Sequence, residues 1–199
     1  KTYKAIVFKL FAQSLFFFIT TFALFSADNL EKYYRGIEKF KKHEYTSARK
    51  EFEEFVKEHP YEIEVKKSWY YMVRTLVAEK KWHDAITRIN ITLERYPLHE
   101  DRVELKVLLG RCLYKVNAHA RAEKILRGTA STVKDDALRY LLDKTLGLIY
   151  YDARKFGEAQ KYLESAVRLS KKLNEKDKEL FDIYVALAKV ASLDTSKTA

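Results

Sequence analysis

Cysteine, proline and glycine are all scarce in this chain: one, two and five among 199 residues. A single cysteine, Cys112, excludes an intramolecular disulfide and any cysteine-built metal cage. Few glycines and prolines argue against an all-β architecture with its many tight turns and favour long helices with few breaks. The glycines at 36, 110, 128, 147 and 157 are too scattered for a phosphate-cradling loop, and the sequence has neither a nucleophile elbow nor a His-Glu-x-x-His pair. His43, His59, His83, His99 and His119 lie far apart in the chain, and neighbouring acids such as Glu53-Glu54 and Asp135-Asp136 point to different sides of a helix. No catalytic residue, cofactor or metal site is therefore expected, and the chain is not expected to be an enzyme. One grouping, Trp82-His83-Asp84, has the residue types of an active-site corner. Its place in the register described below gives it a plainer reading.

What is abundant is apolar and basic. Hydrophobic residues make up 47% and aromatic residues 14%, enough for one domain to build a core. The net charge is +10. Lys1, Lys4 and Lys9 precede the first acid, Asp28, so the remainder carries 35 bases against 28 acids. That moderate surplus, spread over many helices, reads as a solvated surface. The alternative is a basic surface that binds anionic lipid or nucleic acid.

The N-terminal stretch begins basic, runs without charge from Leu10 to Ala27 and turns acidic at Asp28 and Glu31. Leu15 to Phe25 has the length of a signal-peptide core, and Ser26-Ala27 offers small residues for cleavage. Extended back to Ala5, the run could instead span a bilayer. Residues 1–27 are thus either a signal peptide or an N-terminal membrane anchor, and both place the body of the chain on the exported side. No cysteine lies near Ala27, which excludes the signal of a bacterial lipoprotein from this reading. The expected location is the periplasm, either soluble or anchored to the inner membrane through the uncleaved segment.

Beyond that segment the chain repeats every 37 residues. Ala48, Ala85, Ala122 and Ala159 form one column; Gly36, Val73, Gly110 and Gly147 another; then Phe40, Val77, Tyr114 and Tyr151; Tyr45, Trp82, His119 and Phe156; and Phe52, Ile89, Leu126 and Leu163. Each copy reads as two amphipathic helices, with Tyr33, Ile37 and Phe40 on the stripe of the first and Tyr45, Ala48, Phe52 and Phe55 on that of the second. The glycine column is expected to face the alanine column where the two helices approach closely. Pro60 and Pro97 stop second helices. In this register Trp82 is a packing residue, His83 shares its column with Thr46, Ala120 and Gly157, and Asp84 suits the first turn of a helix.

The spacing predicts an all-α, right-handed superhelical solenoid of four helical hairpins over 28–193. The repeats fall at about 29–60, 62–97, 100–132 and 134–172, with a C-terminal capping helix at 175–193 and a disordered tail at 194–199. Stacking buries stripes that one hairpin leaves open, each large side chain contributing about 1.5–3 kcal/mol.

These columns resemble the tetratricopeptide repeat (TPR) family. Trp69 fits that family's Trp column, Leu109-Gly110 and Leu146-Gly147 its Leu-Gly pair, Tyr150 its Tyr, and Ala159, Leu163 and Ala166 its second-helix set. Departures are Val73 for glycine, His119 in an aromatic column, no closing proline in the third and fourth copies, and three residues more per repeat. EFEEFVKEHP and ITLERYP add a weaker similarity to envelope members, the outer-membrane assembly and Tol-associated periplasmic proteins. The absent anchor cysteine departs from the assembly lipoproteins.

The resemblance implies a protein-protein interaction scaffold or adaptor with a concave groove lined by first helices. The register assigns to that groove Tyr33, Ile37 and Lys41, then Tyr70 and Arg74, then Arg111 and Lys115, then Lys144 with Leu148. Arg74 and Arg111 are one repeat apart and are expected to align. The partner expected is an acidic or C-terminal peptide, gripped by Arg forks and Tyr faces, within a multiprotein envelope complex such as an outer-membrane assembly, secretion or flagellar machine. Ile37, Arg74 and Arg111 stand where chaperone-binding members carry asparagines, which disfavours a chaperone adaptor. Export disfavours nucleic acid as a partner.

Overall fold

The computed structural model describes residues 30–173 together with Ile183, Ala186, Leu187 and Lys189. The expected signal or anchor at 1–27, the rest of the capping helix at 175–193 and the tail at 194–199 lie outside the described residues. Within them the chain is all α-helical, with no strand. The helices are α1 Glu31–Lys41, α2 Tyr45–Glu58, α3 Glu64–Ala78, α4 Trp82–Arg95, α5 Arg102–Lys115, α6 His119–Thr129, α7 Asp136–Asp152 and α8 Phe156–Leu173. A 3₁₀ turn, Ala130–Thr132, follows α6. This is the TPR-like solenoid class, in which α1 pairs with α2, α5 with α6 and α7 with α8. The chain divides into two compact units at Thr75 and Leu76, within α3.

The same turn is built four times. His43, Lys80, Asn117 and Arg154 take φ values of 63°, 58°, 60° and 58°, and they too are spaced by 37. At each turn the residue at positive φ donates its N–H to a carbonyl three residues back, as His43 does to Phe40 and Arg154 to Tyr151. The following N–H reaches five back: Glu44 to Lys39, Lys81 to Leu76, Ala118 to Leu113 and Lys155 to Tyr150. These paired bonds form a Schellman motif, which satisfies carbonyls that the end of a helix leaves open. Three turns are also closed by a ring pair: Phe40 on Tyr45, Tyr114 on His119 and Tyr151 on Phe156, with centroids 5.6, 5.2 and 6.2 Å apart. His119 therefore occupies its aromatic column as a flat ring stacked on Tyr114.

In the first unit Tyr33 of α1 packs on Phe52 and Phe55 of α2, while Tyr71 of α3 stacks on Phe52 at 5.3 Å and 8° and meets Phe40 edge-on. Phe52, Phe55, Ala48, Met72 and Val73 are buried. A polar seam runs beside this core. Lys32 bridges Glu54 and Glu58, and Glu51 accepts from both Arg35 (2.9 Å) and Lys39 (2.5 Å). Burial by itself raises the Glu51 carboxyl pKa, but the hydrogen bonds from Lys39 and Arg35 outweigh it and leave the group below its ordinary value.

In the second unit α5 packs against α4, α6 and α7. That surround accounts for the burial of Leu105, Val107, Leu108, Leu109, Cys112 and Leu113 around the helix. The α7 helix starts on Asp135, whose carboxylate accepts from the Leu138 N–H at 2.8 Å, and packs along α8 through Leu142, Leu146 and Ile149 opposite Ala159, Leu163 and Ala166.

The glycine column answers to a different partner from the alanines. A Cβ on Gly36 would lie 2.7 Å from Phe52 Cε1, on Gly110 2.4 Å from Leu126 Cγ, and on Gly147 2.6 Å from Leu163 Cδ2. The large residue sixteen positions on fills the space that glycine leaves. Ala48, Ala122 and Ala159 are fully buried one turn earlier on the second helix.

Candidate functional site

The first helices were expected to present a basic, aromatic surface. In the first unit that surface centres on Arg74. Its exposed guanidinium carbon sits 5.3 Å from the Phe40 ring centroid and 5.6 Å from that of Tyr70, and Nη1 donates to the Tyr70 hydroxyl at 3.2 Å. Among the described residues no carboxylate pairs with Arg74. Two aromatic rings thus flank the fork of an exposed arginine.

Tyr70 is buried beside this arginine, and the Lys67 amine lies 5.4 Å from its ring centroid. It supports the fork and offers little face of its own. Tyr33 is buried among Tyr34, Phe52 and Phe55. Burial raises its phenol pKa, helped by Tyr71 and Glu64 and opposed by Lys67. Ile37 is half-buried, and Lys41 is exposed at the end of α1.

In the second unit Arg111 and Lys115, both on α5, are half-buried. The Arg111 guanidinium lies 6.0 Å from the Trp82 ring, and the Lys115 amine 5.7 Å from that of Tyr114. Lys144 is only 2% exposed, its amine 4.8 Å from the Tyr140 ring, and so offers little charge to solvent.

Sequence reasoning passed over two polar arrangements here. Asp143, beside Lys144, is buried and accepts from Ser165 of α8 at 2.8 Å; burial raises its pKa, against the hydrogen bond from Ser165 and the charges of Arg139 and Arg168. The Tyr150 hydroxyl donates to Glu123 at 2.9 Å, and burial first, then this bond, push it up to about 12. Both join neighbouring helices, and no periodic pattern announces them because each uses a residue unique to its copy.

His83 and Asp84 are exposed at the start of α4, where the His83 carbonyl accepts from Thr87. Among the described residues no three metal-ligating side chains converge, and no helix is long and apolar enough to cross a membrane. Cys112 is buried, with its thiol pushed up to about 12 by burial.

Sequence reasoning also passed over the loops between hairpins. Tyr61 and Ile63, between α2 and α3, are 100% and 77% exposed, and Leu98, in the column of Tyr61, is 97% exposed. Their signal was an apolar residue straight after each proline, Pro60-Tyr61 and Pro97-Leu98.

Known structures of similar fold are TPR-like helical repeat proteins. The apo form of the quorum sensor NprR from B. thuringiensis superposes with a TM-score of 0.68 at 20% identity over 84% of this chain and 49% of NprR. NprR has also been solved with its cognate peptide NprX; that structure gives a TM-score of 0.61 at 20% identity over 86% of this chain and 53% of NprR. Apo RapI gives 0.67 at 16% over 85% and 65%. MamA from Desulfovibrio magneticus RS-1 gives 0.58 at 17% over 86% and 97%. The chain thus spans about half of NprR and under two thirds of RapI. A comparison with curated protein sequences finds no match. A family model described as an outer membrane lipoprotein, YfiO, matches residues 26–142, more than half of the sequence. The exclusion of a lipoprotein that was drawn from the missing cysteine near Ala27 does not extend to this kinship, and the chain belongs to the YfiO outer membrane lipoprotein family.

Proposed function

We propose that this protein is a non-enzymatic interaction scaffold of the bacterial cell envelope, exported and either soluble in the periplasm or held at a membrane through an uncleaved N-terminal segment, and working within a multiprotein machine. Its partner presents an acidic segment or a terminal carboxylate to the first helices. The observation that carries this is Arg74, an exposed guanidinium gripped by Phe40 and Tyr70. Such a fork matches a carboxylate in two parallel hydrogen bonds and loses little side-chain freedom on binding. Lys41 adds charge in the same unit, and Arg111 with Lys115 offers a second basic position in the other. Tyr33, Tyr70 and Lys144 contribute as buried supports. Family membership supports the envelope setting, and the pairing of NprR with a peptide supports a peptide-sized partner.

The test is cross-linking in native cells to trap the partner, followed by titration of the purified pair. Arg74→Ala is expected to weaken binding about tenfold or more, and Arg74→Lys to recover only part of it, since an ammonium keeps the charge without the fork. Lys50→Ala, at an exposed position on α2, is the control. Unchanged affinity in Arg74→Ala and in Arg111→Ala would remove the reading.

A further inference from the structure

The end of the first unit where α1 begins exposes three large apolar or aromatic side chains among its charges. Tyr61 is 100% exposed, Ile63 77% and Tyr34 57%. They lie at one end of the unit. Lys32, in the first turn of α1, is bonded to Glu54 and Glu58 in the last turns of α2, and Phe55 packs on His59, from which the loop carrying Tyr61 and Ile63 departs. Glu64 and Lys67, at the start of α3, are close enough to the Tyr33 hydroxyl to act on it. The first turn of α1, the end of α2 and the start of α3 therefore share this end, and three large side chains stand out from it.

Chain connectivity says what lies next to it. The uncharged run from Leu10 ends at Ala27, four residues before Glu31. Four extended residues reach at most about 14 Å, so the run ends within that distance of the first turn of α1 wherever it goes. Around the loop the charges nearly balance, with Lys57, Lys66 and Lys67 against Glu58, Glu62 and Glu64. A neutral rim does not select a charged partner. A phenol and a branched aliphatic beside the exit of an apolar run suit the headgroup boundary of a bilayer, where a tyrosine buries its ring and keeps its hydroxyl wet.

We propose that Tyr34, Tyr61 and Ile63 form a membrane-contacting patch that rests at the headgroup level of the bilayer holding the N-terminal segment. The patch rests on the membrane-held reading given above. It fixes how the first unit sits on the bilayer, with this end down and the turn between α1 and α2 away. The α1 helix is about 16 Å long at 1.5 Å per residue, so Lys42 at its far end stands clear of the headgroups.

The test uses the full chain in phosphatidylcholine vesicles. Cys112 is buried, so Ile63→Cys and Lys42→Cys, both at exposed positions, are expected to take an environment-sensitive fluorophore selectively. Flotation reports membrane attachment, and a lipid-borne quencher reports contact. The Ile63 label is expected to shift to the blue and lose most of its emission to the quencher, the Lys42 label to do neither, and neither result to change in high salt. A chain that floats with its Ile63 label still open to an aqueous quencher overturns the patch and leaves the attachment standing. A chain that does not float overturns both. Shielding of the Ile63 label that needs only higher protein concentration, without vesicles, assigns the patch to a second copy and likewise overturns the proposal.

Discussion

Gly110 and Gly128 are the same residue type with opposite consequences. An added methyl on Gly110 meets Leu126 at 2.4 Å, whereas on Gly128, exposed on α6, it meets nothing within 4 Å. Gly110→Ala is expected to cost about 1–3 kcal/mol by overpacking, and Gly128→Ala to gain about 0.5–1 kcal/mol by restricting the unfolded chain. Urea denaturation of the two variants measures the contrast. Glu51 makes a second residue-level case. Because its folded-state pKa lies below the ordinary 4.5, its stabilisation is complete above that value and lost as the pH falls through the folded value. Asp143 works the other way: its raised pKa means that ionisation opposes folding, and acid relieves it. Glu51→Gln is expected to lower stability by about 1–2 kcal/mol at neutral pH and to flatten the acid side of the stability curve, read by denaturation at several values between about pH 7 and pH 3.

The turns that join the helices of each hairpin show where local sequence was silent. The 37-residue register was legible because glycine and alanine columns are rare enough to align by eye, and the helices begin close to where the pattern put them. The left-handed position of each turn was not, because His43, Lys80, Asn117 and Arg154 stand where a glycine would have marked it. A side chain there costs about 1–2 kcal/mol, offset in part by the entropy that glycine would lose. Lys80→Gly and Arg154→Gly are therefore each expected to raise stability by roughly 0.5–1 kcal/mol, and thermal melts would show it as an upward shift. The same limit applies to the candidate site. Periodicity told which helix carries Lys144 and Tyr70, but not that one is sealed beside Tyr140 and the other lies beside Arg74. Spacing also could not say whether Gly36 faces the residue twelve or sixteen positions on, since both lie on the inner stripe of the second helix and only packing chooses Phe52.

For the molecule as a whole, the lone cysteine is a built-in reporter. On the exported side proposed for this chain, an available thiol would meet oxidants and invite cross-linking between copies. Cys112 escapes that fate twice over, being buried within α5 and having a thiol pushed from 9.0 to about 12. At about pH 8 roughly one molecule in 10⁴ then carries the thiolate, against roughly one in ten for an ordinary thiol, so reaction slows by about 10³ before any steric exclusion is counted. A thiol reagent added to the native protein is therefore expected to modify Cys112 only as α5 opens, on the timescale of unfolding, and within the dead time of mixing once urea has unfolded the chain. Gly110→Ala, which strains α5 two residues away, is expected to speed that labelling in proportion to its loss of stability, while Gly128→Ala slows it. Fast labelling of the native wild-type protein would mean that the thiol is open to solvent, and the second unit would then lack the tightly packed centre that Leu105, Leu109 and Leu113 give it.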